Sequence, residues 1–352
     1  MRVALLSAAP PNSLGSMAIY AEMVRTSVAL ASPDVELIIV PLLRHPLTGV
    51  RSRLAAIAEV RWRASRLQAD VFHWLDGSHA YLAGGLPWAR TLVTVHDFIP
   101  ALQAAGAFQG IALPSWGARQ LLSASLRAIR HAGAVCAVSQ ATATDLQRFT
   151  GRSADAVVPL CLRPLPSPRP SSIELPCSYI LHVGNHGFYK NRSAAQAVFA
   201  ALAPIFPELH LVLAGAEESS PHSNPFAFAG LNERVHWFAS PSDAMLVQLY
   251  KQAELLLFPS LYEGFGWPPL EAMAHGCPVV CSTAGSLPEV VGKAALTCSP
   301  TDIDGLTQAV TRLLQNPELK NDLIARGTSN LQRFSLHRMG SQLVSLYEKL
   351  DC

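Results

Sequence analysis

Short runs of apolar and β-branched residues alternate along the whole chain with longer segments of helical periodicity. Five such runs lie in the first half, namely R-V-A-L-L-S, V-E-L-I-I-V, D-V-F-H-W-L, T-L-V-T-V and A-V-C-A-V. Five more lie in the second half, namely Y-I-L-H-V, L-H-L-V-L-A, V-H-W-F, E-L-L-L-F and P-V-V-C-S. Strands buried on both faces have this composition, because helices cover both sides of a parallel sheet. The pattern therefore predicts an α/β protein with parallel sheets.

A proline-rich segment from Pro159 to Pro176 separates the two halves. Prolines at this density cannot continue a helix or a central strand, so the segment is interpreted as a stiff linker. A chain of 352 residues also has the length of two domains of about 150 residues each. The sequence thus predicts two doubly wound, Rossmann-like domains that face each other across a cleft, over residues 1–165 and 166–335. A last periodic helix in residues 336–352 could pack on either domain.

The composition excludes several classes of protein. Half of the residues are hydrophobic and 15% are charged, which excludes a disordered chain, a coiled coil and a small disulfide-rich scaffold. No apolar stretch approaches the roughly 18 residues that a membrane-spanning helix needs. The apolar run from Met1 to Ala9 stops at Pro10, and it is interpreted as a buried first strand rather than a secretion signal. We therefore expect a soluble, cytoplasmic protein.

The cysteines and histidines indicate neither a disulfide framework nor a metal site. The seven cysteines are an odd number, and no two of them form a C-x-x-C pair. This pattern fits small buried hydrophobic side chains better than disulfides or zinc ligands. His182 and His186 are four residues apart, but they lie at a strand end and in a loop rather than on one helical face. No metal and no other cofactor is expected.

Basic residues are concentrated in the first half of the chain. Residues 1–170 contain 16 Lys and Arg against 9 Asp and Glu, whereas residues 171–352 contain 11 against 16. Five arginines crowd one segment: Arg51, Arg53, Arg61, Arg63 and Arg66. A solvated helix face is the simpler interpretation, because the apolar residues of this segment do not form one clean stripe. A peripheral contact with anionic lipid or with a phosphorylated acceptor stays open, and no nucleic-acid partner is expected.

The most informative segment runs from Leu257 to Val280. A strand feeds a loop that contains Gly264 and Gly266, and Pro268 and Pro269 follow where a first helical turn needs no N–H donor. This order places a helix N-terminus at the carboxyl end of a parallel strand. Free N–H groups and the helix dipole favour a phosphate group there. The glycines let a ligand approach the backbone.

Glu263 and Glu271 flank this turn. Two carboxylates would repel a phosphate unless they have another task, and hydrogen bonding to sugar hydroxyls is such a task. The alternative is that Glu271 caps its helix and that Glu263 is a solvated loop residue. The strand, the glycines and the prolines together favour a site for a sugar and a phosphate.

Five ordered segments resemble the retaining glycosyltransferases of family 4, which have the GT-B fold. The segments are Y-I-L-H-V-G-N-H-G-F-Y-K-N-R-S, R-V-H-W-F, L-Y-K-Q-A-E-L-L-L-F-P-S-L-Y-E-G-F-G, P-P-L-E-A-M-A and G-S-L-P-E-V-V-G-K-A-A-L. The resemblance covers most of residues 1–350 and is densest from Val235 to Asp302. It implies two Rossmann-like domains of the GT-B type. It also implies that the closing helix, in F-S-L-H-R-M-G-S-Q-L-V-S-L-Y-E-K-L, crosses back to the first domain.

The resemblance also implies roles for individual residues. Glu271 should hold the ribose hydroxyls of a nucleotide-sugar, Glu263 should contact the donor sugar, and Lys190 should neutralise the diphosphate leaving group. Gly184 and Asn191 belong to the segment that opens the donor-binding domain. The backbone of the turn should contact the sugar and the phosphates through Gly264, Phe265, Gly266 and Trp267. Family members of this kind need no metal.

In the first half, L-V-T-V-H-D-F-I-P is similar to the family's T-x-H segment. The resemblance places His96 near the donor sugar and the acceptor, although the residue pattern alone would equally fit a histidine at a strand end. The family has a pair of glycines before its first helix. Here Gly15 occupies one position of that pair as an expected donor contact, and Ser16 occupies the other.

The chain departs from the family at the phosphate site. Many members carry a second cation just after the glycine of the V-G segment or directly before the lysine, where this chain has Asn185 and Tyr189. The loss of one of two cations weakens leaving-group stabilisation, unless a third group supplies the charge. Arg192 is close in sequence and is a candidate for that task.

Together these observations predict a metal-independent retaining hexosyltransferase with a nucleotide-sugar donor. GDP-mannose is the favoured donor and UDP-linked hexoses stay open, while the acceptor is a hydroxyl of a glycan, a glycolipid or another molecule. The alternatives are a non-catalytic nucleotide-sugar-binding partner of an active homologue and a nucleotide-sugar epimerase. A dinucleotide-dependent oxidoreductase is disfavoured, because no G-x-G-x-x-G follows the first strand.

Overall fold

The chain divides into two units in a computed structural model that describes residues 1–7, 16–41, 50–163, 165, 175–215 and 230–351. Unit 1 comprises Met1–Cys161 and Phe334–Cys352, and unit 2 comprises Leu162–Arg333. Gly15, an expected donor contact, lies outside the described residues.

Unit 1 contains a six-stranded parallel sheet. Its strands are β1 (Arg2–Ser7), β2 (Glu36–Pro41), β3 (Val71–Trp74), β4 (Thr91–Val95), β5 (Ala134–Ala137) and β6 (Ala156–Val157). Its first helices are α1 (Ser16–Ala31), α2 (Val50–Ala64), α3 (Ile99–Ala104), α4 (Trp116–His131) and α5 (Gln140–Thr150). The strand order is β2-β1-β3-β4-β5-β6, and each neighbouring pair is parallel. β3, β4 and β5 are buried along their whole length, as strands covered on both faces should be.

Unit 2 contains a second six-stranded parallel sheet. Its strands are β7 (Tyr179–Val183), β8 (His210–Ala214), β9 (Val235–Phe238), β10 (Leu255–Phe258), β11 (Val279–Ser282) and β12 (Ala295–Cys298). Its helices are α6 (Arg192–Leu202), α7 (Asp243–Gln252), α8 (Trp267–Ala274), α9 (Leu287–Val291), α10 (Ile303–Gln315) and α11 (Pro317–Asn330). The order is β12-β11-β10-β7-β8-β9, again parallel throughout. The central strands β7 and β10 therefore lie side by side.

The two parallel-sheet domains confirm the predicted fold class. Each of the ten apolar runs contains one strand of a sheet. The sequence pattern missed β6 and β12, which both lie at sheet edges. β12 is only partly buried, and β6 has two residues. Neither has the continuous apolar run that marks a central strand.

The last helix, α12 (Leu336–Asp351), packs against α1 in unit 1. Gly340 permits the close approach, because a Cβ there would overlap the carbonyl oxygen of Ser27. The Tyr347 hydroxyl lies 2.7 Å from Nδ1 of His73 on β3, and Nε2 of His73 lies 2.7 Å from the Thr94 hydroxyl on β4. Burial lowers the pKa of His73 to about 3. A neutral histidine thus joins the closing helix to two central strands.

Three of the five clustered arginines have partners within unit 1. Arg61 donates to the Gly84 carbonyl at 2.8 Å, and Arg63 pairs with a carboxylate one turn earlier at 2.9 Å. The guanidinium of Arg66 lies 4.2 Å from the centre of the Trp62 ring. The side chains of the other two arginines lie outside the described residues. In the part of the chain that the structure describes, no helix is long and apolar enough to cross a membrane.

Replacing Gly340 with alanine should lower the free energy of unfolding. The new Cβ meets backbone atoms of α1, which cannot move aside as a flexible side chain would, and forcing extra volume into a packed interface costs about 1–3 kcal/mol. Gly117 offers a matched control, because it also lies in a helix but no atom is within 4 Å of its added Cβ. There the substitution should be neutral or stabilise by up to about 1 kcal/mol. Urea titrations monitored by circular dichroism measure the free energy of unfolding of both variants. Equal changes in the two variants would contradict this account of how α12 packs.

Candidate functional site

The carboxyl edge of the unit 2 sheet carries the turn that the sequence singles out. The loop after β10 enters α8 at Trp267. Gly266 precedes α8 with a φ of 109°, which favours glycine, and a Cβ there would lie 2.8 Å from the side chain of Leu287. Pro268 and Pro269 occupy the first turn of α8. The predicted succession of strand, glycine turn and helix is confirmed.

The turn between β11 and α9 fixes this loop. The Ser286 N–H donates to the Glu263 carbonyl at 3.0 Å, and the Ser286 hydroxyl lies 2.6 Å from the Phe265 carbonyl. Gly285 has a φ of 57°, and a Cβ there would overlap the Glu263 carbonyl oxygen. Gly264 is buried in the same loop. The position of Glu263 therefore depends on a glycine and a serine that lie further along the chain.

Glu263 forms an ion pair with Lys190. The Lys190 Nζ lies 2.8 Å from Glu263 Oε1, and the two side chains are 13% and 9% exposed. The stem of Lys190 passes over Gly184, where a Cβ would lie 3.0 Å from Lys190 Cγ. The ammonium also lies 5.1 Å from the centre of the Phe258 ring, within the range of a cation–π contact. The burial and the pairing contradict the alternative that Glu263 is a solvated loop residue.

Glu271 is also buried and paired, on α8. Arg163 Nε donates to Glu271 Oε1 at 2.8 Å, and the Tyr250 hydroxyl donates to Oε2 at 2.9 Å. Arg163 also pairs with Asp243 at 2.8 Å. Burial, followed by the negative charge of Glu271, raises the pKa of Tyr250 well above its usual value. Neither partner of Glu271 is a backbone N–H, so the helix-capping alternative is wrong.

Each buried carboxylate at this edge therefore has its own cation. A carboxylate buried without a partner is strongly unfavourable, and pairing with hydrogen bonds offsets much of that cost. Asp243 adds a third carboxylate, but its side chain is 52% exposed and its charge is screened by water. The N-terminus of α8 contributes a positive dipole, while Pro268 and Pro269 in its first turn carry no N–H groups. This edge can therefore bind an anion at the positive end of α8, next to the carboxylates of Glu263 and Glu271, which accept hydrogen bonds.

Asn191 supports the loops around this site. It precedes α6 with a φ of 51°, which asparagine tolerates better than most residues. Its side-chain amide donates to the carbonyls of Pro259 and Pro300, both at 2.9 Å. The amide thus ties the loop after β10 to the loop after β12. A direct donor contact of Asn191 stays a prediction.

Arg192 lies two residues after Lys190, at the start of α6. One of its terminal nitrogens donates to the Asn185 carbonyl at 3.1 Å, and its guanidinium lies 5.7 Å from the centre of the Trp237 ring. Burial lowers the pKa of Arg192. Within the described ranges, no carboxylate forms an ion pair with it. Arg192 is thus a second positive charge in the segment that carries Lys190.

His182 lies buried near the end of β7. His182 Nδ1 donates to the Leu257 carbonyl at 3.1 Å, and its buried Nε2 has no hydrogen-bond partner within the described part of the chain. Burial lowers the pKa of His182 to about 4, and the charges of Arg192 and Lys190 act in the same direction. Among the residues that the structure describes, no three His, Cys, Asp or Glu side chains form a group that could hold a metal ion.

His96 lies in unit 1, directly after β4. Its Nε2 donates to the Leu75 carbonyl at 2.9 Å, and its ring is perpendicular to that of Tyr20 at a centroid distance of 4.6 Å. Burial lowers the pKa of His96, so the ring stays neutral at pH 7. Because Nε2 carries the proton in this hydrogen bond, Nδ1 is an acceptor.

Unit 1 also contains a cavity of about 250 Å³ next to the end of β4. Its wall is mostly apolar and also includes the polar residues His79, Asp97 and Ser125; Nδ1 of His79 lies 2.7 Å from an Asp76 oxygen. The apolar wall is formed by Val95, Phe98, Leu121, Leu122, Leu126 and Ile129. The cavity can enclose a small group that has one apolar side.

Four residues that shape the unit 2 site were not among the predicted site residues: Arg163, Tyr250, Gly285 and Ser286. Tyr250 and the glycine–serine pair stand in segments that carry the family resemblance, which was the available signal. Arg163 has no such signal, because it stands in the proline-rich segment that the sequence predicts to be a linker.

Two family models match the chain. The model described as "Glycosyltransferase Family 4" matches residues 18–159, and the model described as "Glycosyl transferases group 1" matches residues 169–330. The two matches follow each other along the chain and together include most of both units.

Curated relatives match parts of the chain. An "MMP alpha-(1->4)-mannosyltransferase" of Mycolicibacterium hassiacum is 40% identical over 146 residues, which are 40% of this chain and 35% of the relative. An "O-antigen chain mannosyltransferase B" of Escherichia coli is 42% identical over 116 residues, which are 33% of this chain and 30% of the relative. The matched part of the chain thus spans about a third of the length of each relative.

Solved structures share the fold over the whole chain. A sucrose-phosphate synthase from Thermosynechococcus elongatus aligns with a TM-score of 0.78 and 20% identity, covering 99% of this chain and 98% of that one. Anabaena HepE in complex with UDP aligns with a TM-score of 0.71 and 18% identity, covering 99% and 100%. The matches to both family models show that the chain belongs to glycosyltransferase family 4. The two parallel-sheet domains and the similar solved structures show that it has the GT-B fold.

Proposed function

We propose that this protein transfers a hexosyl group from a nucleotide-sugar to an acceptor hydroxyl, with retention at the anomeric carbon. The observation that carries the proposal is the buried Lys190–Glu263 ion pair beside the N-terminus of α8, with Glu271 on the same helix. GDP-mannose is the favoured donor, since relatives that match the chain are named mannosyltransferases. UDP-linked hexoses are the second choice.

The donor would bind along the carboxyl edge of the unit 2 sheet. The diphosphate would meet Lys190 and the positive end of the α8 dipole, the ribose would meet Glu271, and the sugar would meet Glu263. Charge builds on the diphosphate as the glycosidic bond breaks, so a fixed cation and a helix dipole favour the transition state over the ground state. These groups can take the role of a divalent cation, and we infer that no metal is required.

Retention follows if the acceptor attacks from the face that the phosphate leaves. The bond between the anomeric carbon and the phosphate oxygen breaks, and a bond from that carbon to the acceptor oxygen forms. The acceptor proton passes to the departing phosphate oxygen, which completes the balance of the reaction. Glu263, whose carboxylate is held by Lys190, would orient sugar hydroxyls rather than act as a nucleophile.

Unit 1 would supply the acceptor side. The Nδ1 of His96 is an acceptor for a hydroxyl group, and the cavity beside β4 offers a mostly apolar wall with a few polar residues. A glycan or a lipid-linked glycan fits this combination. Contact with an anionic membrane surface through the basic segment of unit 1 belongs to the same proposal.

Purified protein incubated with GDP-mannose tests the proposal directly. We expect GDP release to exceed the rate without protein and to persist in excess EDTA. With an acceptor, proton NMR should detect an α-mannoside, because the donor is α-linked and the configuration is kept. UDP-glucose and UDP-galactose, assayed in parallel, identify a different donor. A product that stays nucleotide-linked would instead indicate an epimerase, and tight donor binding without turnover would indicate a non-catalytic partner.

Replacing Lys190 with glutamine should lower turnover far more than it weakens donor binding. The amide carries no charge for the leaving group, and the loss of such stabilisation costs a factor on the order of 100 or more. Lys320 is a matched control, because it forms a similar ion pair with Glu254 at 2.7 Å in the same unit. Lys320→Gln should leave turnover close to that of the wild type. Equal turnover in the two variants would contradict the role of Lys190.

Replacing Gly285 with alanine should displace Glu263 and reduce turnover. The φ of 57° strains an alanine, and its Cβ would collide with the Glu263 carbonyl. Gly276 separates the two effects, since its φ of 70° imposes a similar strain while no atom lies within 4 Å of an added Cβ. In Gly276→Ala, the free energy of unfolding should fall by about 1–2 kcal/mol, while the turnover per folded molecule should stay unchanged. Steady-state kinetics on folded protein compare them, and full turnover in Gly285→Ala would show that Glu263 does not depend on this turn.

A further inference from the structure

The contacts of Glu271 use only part of its carboxylate. An ionised carboxylate has two oxygens and about four lone-pair positions for hydrogen bonds. Arg163 Nε occupies one position on Oε1, and the Tyr250 hydroxyl occupies one position on Oε2. One acceptor position on each oxygen is left. Two acceptors on one carboxylate match the two hydroxyls of a vicinal diol.

We propose that Arg163 and Tyr250 are positioning residues, which hold the Glu271 carboxylate so that both its oxygens accept from the 2′- and 3′-hydroxyls of a ribose. The proposal rests on the proposed function, because it names how that site would hold a nucleotide. The last torsion of a glutamate side chain has no sharp preference, so the carboxylate plane is free unless partners fix it. One donor on each oxygen fixes that plane.

Both partners are themselves held in place. Arg163 is anchored by Asp243 through a different nitrogen, so its Nε direction does not depend on Glu271 alone. Tyr250 is fully buried on α7, and its raised pKa keeps the phenol protonated, which makes it a donor to Glu271. Arg163 stands before β7 and Tyr250 stands on α7, so two separate elements converge on a residue of α8. A charge-balancing role alone would need Arg163 but not the tyrosine hydroxyl.

The removal of the Tyr250 hydroxyl should selectively weaken the binding of ribose. Isothermal titration calorimetry would measure the affinities of GDP and 2′,3′-dideoxy-GDP, and of the corresponding uridine pair, for each variant. The wild type should prefer the ribonucleotide. In Tyr250→Phe, the affinity for the ribonucleotide should fall about tenfold, in line with one lost hydrogen bond to a charged group. The affinity for the dideoxy form should stay nearly constant.

Tyr179→Phe is the matched control. Tyr179 is also fully buried in unit 2, and its hydroxyl donates to the Leu249 carbonyl at 2.8 Å rather than to Glu271. It should keep the wild-type preference for the ribonucleotide. Arg163→Lys, which retains the charge but not the Nε donor, should lose most of that preference. Asp243→Asn, which loosens Arg163 without touching Glu271, should lose a smaller part.

The outcomes separate the two proposals. If the wild type prefers the ribonucleotide and Tyr250→Phe and Arg163→Lys keep the same preference, the positioning role is wrong while the nucleotide site stands. A uniform loss of affinity for both forms in these variants would also overturn it, because that result describes a structural role. If the wild type binds none of the nucleotides, the proposed function itself fails.

Discussion

The candidate site depends on the pairing of each buried carboxylate with its own cation. A site for a nucleotide-sugar needs acceptors for hydroxyl groups and positive charge for phosphates within a short distance. At an effective dielectric constant of about 20, two like charges 4 Å apart repel by roughly 4 kcal/mol. The Lys190–Glu263 and Arg163–Glu271 pairs remove that conflict before any ligand arrives. The carboxylates keep their free lone pairs, and the dipole of α8 remains available to an anion.

Much of the backbone around these pairs serves their geometry. Gly184 leaves room for the stem of Lys190, and Gly266 permits the turn that starts α8. Gly285 lies against the carbonyl of Glu263, while Asn191 ties two loops of the same edge together. These residues provide space and hydrogen bonds rather than chemistry. A side chain at Gly184 would press on the stem of Lys190, and one at Gly285 would press on the backbone of Glu263.

The sequence predicted the strands and the central turn because their signals are local. A run such as T-L-V-T-V, or the glycines and prolines of G-F-G-W-P-P, favours its own backbone conformation through local interactions. The partner of a buried side chain carries no such signal. Arg163 and Glu271 are 108 residues apart, and a proline-rich segment gives no indication that one of its arginines reaches α8. The edge strand β12 was missed for a related reason, since partial burial removes the apolar run.

The position of α12 in the chain affects how the protein is made. Unit 2 is continuous in sequence, whereas unit 1 combines the first 161 residues with the segment from Phe334 onward. A ribosome therefore releases all of unit 2 before the helix that packs on α1 and reaches His73 through Tyr347. Until α12 is released, the surface of α1 around Ser27 and the imidazole ring of His73 lack their contacts with this helix. Unit 1 therefore stays incomplete while unit 2 is synthesised and folds. During this stage the nascent chain exposes apolar surface of unit 1 and would most need a chaperone.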